Sequence, residues 1–304
     1  MSEELTEMFG NQIPDLPKAT NIIVGDTKFD YLDKGYVEFL GNYGSDGSVV
    51  EAARASFGEG AYEDPKKNQG LINYMMEHKH MSPFEIPVVH FRVRVPLFVR
   101  AQLVRHRTQS CNWESHRYKE AALEAYVPSL NRFRQQGKWN KQGSGEPLPE
   151  EEAERLRDLY AEEVECQAKS YQALLDAGVS RETARGVLSS SIYSTGVLTM
   201  KLRNMFHFLK LRTDSHAQPE IRLLAAIMEQ VVAMRFPMSY KAWNRFDNGS
   251  VTFSRDEMER MRSTEEFQYL PHLFDEEEPD GSTRRHRDFM RKLEPEYIPL
   301  VDQG

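Results

Sequence analysis

Apolar and polar residues alternate strictly along Val89-His90-Phe91-Arg92-Val93-Arg94-Val95, the period of a strand with one buried face. Tyr36-Val37-Glu38-Phe39-Leu40 predicts a second strand. Elsewhere the apolar spacing lengthens to three and four residues. Leu71, Ile72, Met75 and Met76 predict a helix over 68–79, and Asp46 stands where it could cap a helix through Val49, Val50, Ala53 and Phe57. Pro96 opens a helix through Phe98, Ala101 and Val104. A long helix starts at Glu150, Glu151 and Glu152, carries Leu156, Leu159 and Leu174 on one face, and stops at Gly178. Ser180 caps a further helix holding Arg185. Residues 196–211 and 220–235 read as two more; in the second, Ile221, Leu224, Met228, Val231 and Arg235 share a face. Helices dominate and the few strands lie near the front, which predicts an α+β fold, a small antiparallel sheet packed against several helices.

The periodicity fails in three places. Residues 1–30 hold few apolar side chains, and Pro14 and Pro17 break any helix, so this stretch reads as an arm or a lead-in strand. Residues 131–149 are punctuated by Gly137, Gly143, Gly145, Pro147 and Pro149 and read as an exposed loop insertion. Past Asp247 the composition shifts, with an acidic run at Asp275 to Glu278 and a basic one at Arg284 to Arg287. The division is therefore 1–30 arm, 31–247 a single main domain, and 248–304 a partly helical extension with solvated charges.

Composition narrows the function classes. Of 304 residues 39% are hydrophobic, enough for a real core. Charge balance is 39 Lys+Arg against 47 Asp+Glu, net −8, which disfavours a protein built to grip nucleic acid. No apolar run approaches the roughly 20 residues of a membrane span, and the start Met1-Ser2-Glu3-Glu4 lacks the features of a signal peptide. A cytoplasmic protein is expected. Cys111 and Cys166 are the only cysteines, so neither a disulfide framework nor a four-cysteine metal site is expected.

Against that acidic total one segment stands out. Arg105-His106-Arg107-Thr108-Gln109-Ser110-Cys111-Asn112-Trp113-Glu114-Ser115-His116-Arg117-Tyr118 holds three arginines and two histidines against one carboxylate. Arginine suits phosphate because its planar fork donates two parallel hydrogen bonds, and Ser, Asn and Gln can read a base or ribose edge. The segment reads as a nucleotide site, with a solvated basic loop as the plainer alternative. Arg185 and Arg212 fall in polar contexts near helix ends; the string after Arg212 is dense in functional groups, and for Arg212 a functional role and interaction with the helix dipole are equal readings. Ser82-Pro83-Phe84-Glu85 has the order of a capping box, Ser at N-cap, Pro at N1 and Glu at N3.

Arg105-His106-Arg107, seven residues, Ser115, then Arg117-Tyr118 resembles the signature of the flavin-dependent thymidylate synthases. His80-Met81-Ser82-Pro83-Phe84-Glu85 is similar to the family's His-x-Ser/Thr-Pro-Phe-Glu segment. Arg212-Thr213-Asp214-Ser215-His216-Ala217-Gln218 is similar to its Arg-x-Asp-x-His-Ala-Gln segment. The three occur in the family's order, and the resemblance covers residues 31–247. A second Arg285-His286-Arg287 is a decoy, because after seven intervening residues comes Pro295 in place of the serine.

The resemblance implies methylation of dUMP to dTMP, with methylenetetrahydrofolate as carbon donor and FAD reduced by NADPH as hydride source. It implies that FAD meets His80, Ser82, Arg105, His106, Arg107, Lys201, Arg203 and His207. Lys201 and His207 stand where asparagine is common in the family. For dUMP it points to Gln102, Glu114, Ser115, His116, Arg117, Arg185 and Arg212. Arg117 and Arg185 would hold the phosphate, and Arg212 would favour the ionised uracil. Ser115 would place the substrate without acting as a nucleophile, since no paired base is evident, and Cys111 is disfavoured as one. Many relatives carry an acid or amide where this chain has Trp113, so either Trp113 stacks on a ring or Glu114 takes that contact. The family assembles as a homotetramer with shared active sites.

Overall fold

The computed structural model describes residues 27–264, except 59, 61–62, 139–140 and 142. The acidic run at 275–278, the basic run at 284–287 and most of the N-terminal arm lie outside the described residues. Among the described residues the strands are β1 (Lys28–Tyr31), β2 (Gly35–Tyr43), β3 (Val88–Pro96), β4 (Gln109–Trp113), β5 (Arg134–Gln136), β6 (Ser144–Pro147) and β7 (Tyr193–Lys201). The main sheet runs β1-β2-β3-β7-β4 with every pair antiparallel, as the α+β reading expects. Its first strand starts at Lys28, inside the stretch read as an arm or lead-in strand.

The alternation in β3 sets the core. Val89, Phe91, Val93 and Val95 are fully buried, and Phe91 pairs with Phe39 of β2 on one side and Leu198 of β7 on the other. A one-residue slip would turn this row to solvent, so burial fixes the register. Leu40 is the extra residue of a bulge against β3, followed by Gly41 at φ +143°.

Residues 196–211 are not one helix. Strand β7 continues to Lys201, and a helix begins at Leu202. Ser194, Gly196, Leu198 and Met200 are buried and alternate with more exposed Thr195, Val197, Thr199 and Lys201, a period of two. The helical reading arises because Leu198, Leu202, Met205 and Leu209 happen to be spaced by four, three and four. The sheet overrides it: β7 lies between β3 and β4 and pairs with both.

The other helices are α1 (Asp46–Arg54), α2 (Pro65–Glu77), α3 (Leu97–Leu103), α4 (Glu150–Asp176), α5 (Arg181–Ala184), α6 (Leu202–Arg212), α7 (Pro219–Arg235) and α8 (Pro237–Trp243). The predicted face of α7 is buried at Ile221, Leu224, Met228 and Val231, and Leu223, Ala225, Ile227 and Val232 are buried too. It is a central helix against β1 and β2, not an amphipathic surface helix. Asp46 does not cap its own helix. Ser45 is the N-cap of α1, and the Asp46 carboxylate accepts from Met238 N–H, Ser239 N–H and Ser239 Oγ at the start of α8. In α4 the buried residues are Ala153 and Tyr171; Leu156 and Leu174 are half-buried, whereas Leu159 is 55% exposed and stands off the predicted face. Gly178, at φ +82°, ends that helix as expected. The helix at Ser180 is a single turn, with Arg185 at its C-cap. The stretch 131–149 is not an irregular loop, because β5 and β6 pair as a hairpin.

The compact unit containing the sheet ends at Gly249. In the segment that follows, α9 (Arg255–Arg262) starts with a capping box between Ser254 and Glu257. No helix among the described residues is long and apolar enough to cross a membrane.

One buried acid predicts a pH effect. Glu229 of α7 is 7% exposed, and its Oε1 accepts from Tyr240 Oη at 2.9 Å. Burial pushes its carboxyl up to about 7. The folded state therefore holds a proton that the unfolded chain releases near pH 4.5, and stability falls as pH rises from there to about 7. Glu229→Gln should raise stability at pH 8 by roughly 2–3 kcal/mol and leave it unchanged near pH 4.5. Denaturant titration at the two pH values checks this, and equal gains at both would contradict it.

Candidate functional site

Three separate stretches of chain meet around α6. Arg212, the last residue of this helix, donates from Nε to His106 Nε2 at 2.9 Å. That bond joins the Arg-His-Arg segment to the Arg-x-Asp-x-His-Ala-Gln segment, 106 residues apart. Burial first, then the positive charge of Arg212, push the His106 imidazole down to about 4. The ring is thus neutral at physiological pH and free to accept from the guanidinium. It packs edge-on to Phe208 at 5.0 Å and lies 6.4 Å from the His207 ring. Burial also lowers the pKa of Arg212, which carries no carboxylate partner among the described residues.

A second link ties the same segments. Gln102 Nε2 donates to Gln218 Oε1 at 2.5 Å. Asn204 Nδ2 donates to Thr108 O at 2.9 Å and holds the turn after His106 against α6. No period or motif singled out Asn204, and nothing in the motif that ends at Gln218 pointed to Gln102, because only the fold brings these pairs together from about a hundred positions apart.

The Ser82-Pro83-Phe84-Glu85 stretch is a four-residue 3₁₀ turn, and the predicted capping box does not form. Met81 occupies the N-cap and Ser82 is the first, exposed residue of the turn. Glu85 reaches across to Lys201 Nζ at 3.0 Å and Arg203 Nη1 at 2.5 Å, and these cations hold its carboxyl below the usual range. Pro83 and Phe84 are buried, so the motif is an anchor with its polar ends outward. His80 is exposed, edge-on to Tyr74 at 5.7 Å. The neighbouring Lys79 adopts φ +57° where the chain leaves α2.

The remaining residues form a second group beyond β4. Trp113 pairs with Gly196, and a Cβ there would lie 2.4 Å from the indole. The ring therefore lies over its own sheet, with the Arg100 guanidinium 4.9 Å from its centroid. Glu114 is held too: its backbone N–H donates to Thr195 O at 2.8 Å, its carboxylate accepts from Thr195 N–H at 3.3 Å, and it pairs with Lys119. Ser115 Oγ accepts from Arg117 N–H at 3.4 Å and has no basic side chain against it among the described residues. His116 is 7% exposed with its Nε2 unpartnered, and burial lowers its pKa, Arg100 and Arg185 adding to the effect against Glu114. Arg117 pairs with Glu182 at 2.6 Å. Arg185 is exposed.

The predicted residues thus fall into two groups within the chain. His106, His207, Arg212 and Gln102 gather at α6, with Lys201, Arg203 and Glu85 at its start. Glu114 to Arg117 and Arg185 gather beyond β4. Among the described residues no hydrogen bond or ion pair joins the two groups. Arg105 and Arg107 are exposed, with no side-chain partner among the described residues. Cys111 is an exposed thiol on β4. Chemically, the first group offers an acid-poor set of guanidinium and imidazole donors, which suits a diphosphate or an anionic ring.

The family profile described as thymidylate synthase complementing protein matches residues 39–238. The chain is 38% identical over 240 residues to the flavin-dependent thymidylate synthase of Ehrlichia ruminantium (strain Gardel), spanning 79% of this chain and 80% of that one. It is 41% identical over 238 residues to a flavin-dependent thymidylate synthase of Thermus thermophilus, spanning 78% and 86%. Among solved structures it is similar to a UMP/dUMP methylase, PolB, from Streptomyces cacaoi bound with 5-Br dUMP. The TM-score is 0.66 at 36% identity, covering 72% of this chain and 99% of that one.

Proposed function

The chain belongs to the flavin-dependent thymidylate synthase family, and from that premise we propose that it methylates dUMP to dTMP, taking carbon from methylenetetrahydrofolate and reducing equivalents from NADPH through FAD. The observation that carries this reading is the Arg212–His106 bond, which unites two of the three motifs in one donor set.

The residues present fit a flavin dinucleotide. Among the described residues the exposed Arg105 and Arg107 have no side-chain partner, as suits groups that bind a diphosphate, and Lys201 with Arg203 put two cations around one carboxylate. Arg105, His106, Arg107, Arg203 and His207 would hold the FAD, with His80, Ser82 and Lys201 at its margin. When bound, the flavin supplies the hydride. The chain binds and orients dUMP: Arg117 and Arg185 take the phosphate, and Gln102, Glu114, Ser115 and His116 position the nucleotide. Arg212 stabilises negative charge on the uracil with the two nitrogens not used by His106. Ser115 is a placing residue, in keeping with the absence of a base beside it.

Among the described residues no hydrogen bond or ion pair joins the two groups, and we take the sites to be completed between subunits of a homotetramer, as the resemblance implies. A stable, active monomer in light scattering would overturn that part. The catalytic domain is taken as 31–247, with the flanking segments as additions, and a cytoplasmic location belongs to the same reading. The deciding experiment supplies FAD, NADPH, methylenetetrahydrofolate and dUMP tritiated at C5. Tritium release with dTMP formation is expected. NADPH oxidation without tritium release would make the protein a flavin reductase instead.

A further inference from the structure

A cleft of about 1350 Å³ lies beside the site, between the β5–β6 hairpin and the start of α7. Its charge is opposite to that of the whole chain. Arg132, Arg134, Lys138, Arg157 and Arg222 line it against only two carboxylates, Asp33 and Glu220. Both acids are already engaged. Glu220 is 4% exposed and accepts from Arg132 Nε at 2.8 Å and Tyr126 Oη at 3.3 Å; Asp33 accepts from Tyr193 Oη at 2.6 Å. Lys138 and Arg157 are exposed and have no side-chain partner among the described residues. The positive end of α7, a 17-residue helix, adds to the field at Gln218 and Pro219.

Position and size then indicate what enters. At about 1350 Å³ the cleft is larger than the 300–1,000 Å³ of typical small-ligand pockets, so it has room for a cosubstrate bigger than a single nucleotide. One wall is Ser215 to Gln218, and Gln218 is bonded to Gln102, so the cleft opens beside the residues assigned to dUMP. The cations come from four separate elements: the 130–132 turn, the hairpin, α4 and α7. A chance surface stripe on one helix does not have that convergence.

We infer that this cleft holds the anionic tail of an elongated cosubstrate, a run of two or more phosphates or carboxylates whose reactive end lies at the flavin. The inference rests on the activity proposed above. Two cosubstrates of that activity carry such a tail: NADPH, through its phosphates, and a folate extended by γ-linked glutamates.

The test uses the FAD-loaded, full-length protein and the variants Lys138→Glu/Arg157→Glu and, should that pair fail to fold, Lys138→Gln/Arg157→Gln. Calorimetric titration compares NADPH with NADH, and pentaglutamyl with monoglutamyl tetrahydrofolate, at low salt, where such charges are least screened. The unmodified protein should prefer the more anionic member of one pair, and the substitutions should cut that preference about tenfold, or 1.4 kcal/mol. Loss of NADPH preference identifies the phosphates, and loss of pentaglutamate preference identifies the carboxylates. Equal affinities within both pairs, or preferences that the substitutions leave unmoved, overturn the inference. The same preparation is assayed for dTMP. Product with unmoved preferences removes the cleft alone, whereas no product removes the parent activity.

Discussion

Arg212→Ala is expected to slow dTMP formation by a factor of roughly 10²–10³, the cost of removing one preorganised donor from a developing anion. The structure gives the reason for so large an effect. The guanidinium is partly buried, which strengthens its interactions, and Nε is fixed by the neutral His106 ring. Its other two nitrogens are thereby preset as a fork and need no reorganisation during reaction. Arg212→Lys should recover little, because an ammonium cannot keep the His106 bond and offer two parallel donors as well. Steady-state rates with saturating dUMP, on protein with unchanged melting temperature, measure this. Activity of the alanine variant within tenfold of the unmodified protein would remove Arg212 from the proposed role.

The largest structural effect should come from a residue outside the site. Asp46→Ala is expected to cost roughly 3–5 kcal/mol, because two backbone N–H groups and a hydroxyl at the buried start of α8 lose their acceptor together. At the usual conversion for a domain of this size the melting temperature should fall by about 10 °C. Asp46→Asn keeps one acceptor oxygen and should lose less. A change under about 1 kcal/mol for the alanine variant would mean that water replaces the carboxylate there. The residue matters to function indirectly. It ties α1 to α8, and Trp243 of α8 stacks on Phe206 of α6 at 5.2 Å, beneath the helix that carries His207 and Arg212.

Asp46 also shows what a sequence conceals. Its type marked it as a cap, and it is one, but for a helix 192 residues away. Glu85 is similar. Its place after Ser-Pro-Phe suggested a reach back to its own helix start, whereas it braces two cations delivered by β7 and α6. The ambiguity at 196–211 has the same origin. Leu198 to Leu209 satisfy a helical spacing, and only the need of β3 and β4 for a shared partner makes the first part a strand. At Trp113 the sequence left two options, stacking on a ring or yielding to Glu114, and the absence of a side chain at Gly196 settles where the indole goes.

Local chemistry determined much on its own. Strict alternation specified β3, helical spacing specified α2 and α7, and Gly178 ended α4, because each depends on residues within one or two turns of each other. The family was legible for a related reason: its motifs are short contiguous strings, and all three stand in order in this chain. Tertiary structure decided the pairings. Arg212 meets His106, Gln102 meets Gln218, and five cations from four elements converge on one cleft, although the chain as a whole is acidic. Those contacts span up to a hundred residues or more. Their partners are chosen by sheet order and helix packing, which bury the apolar rows first and bring the polar groups together as a consequence.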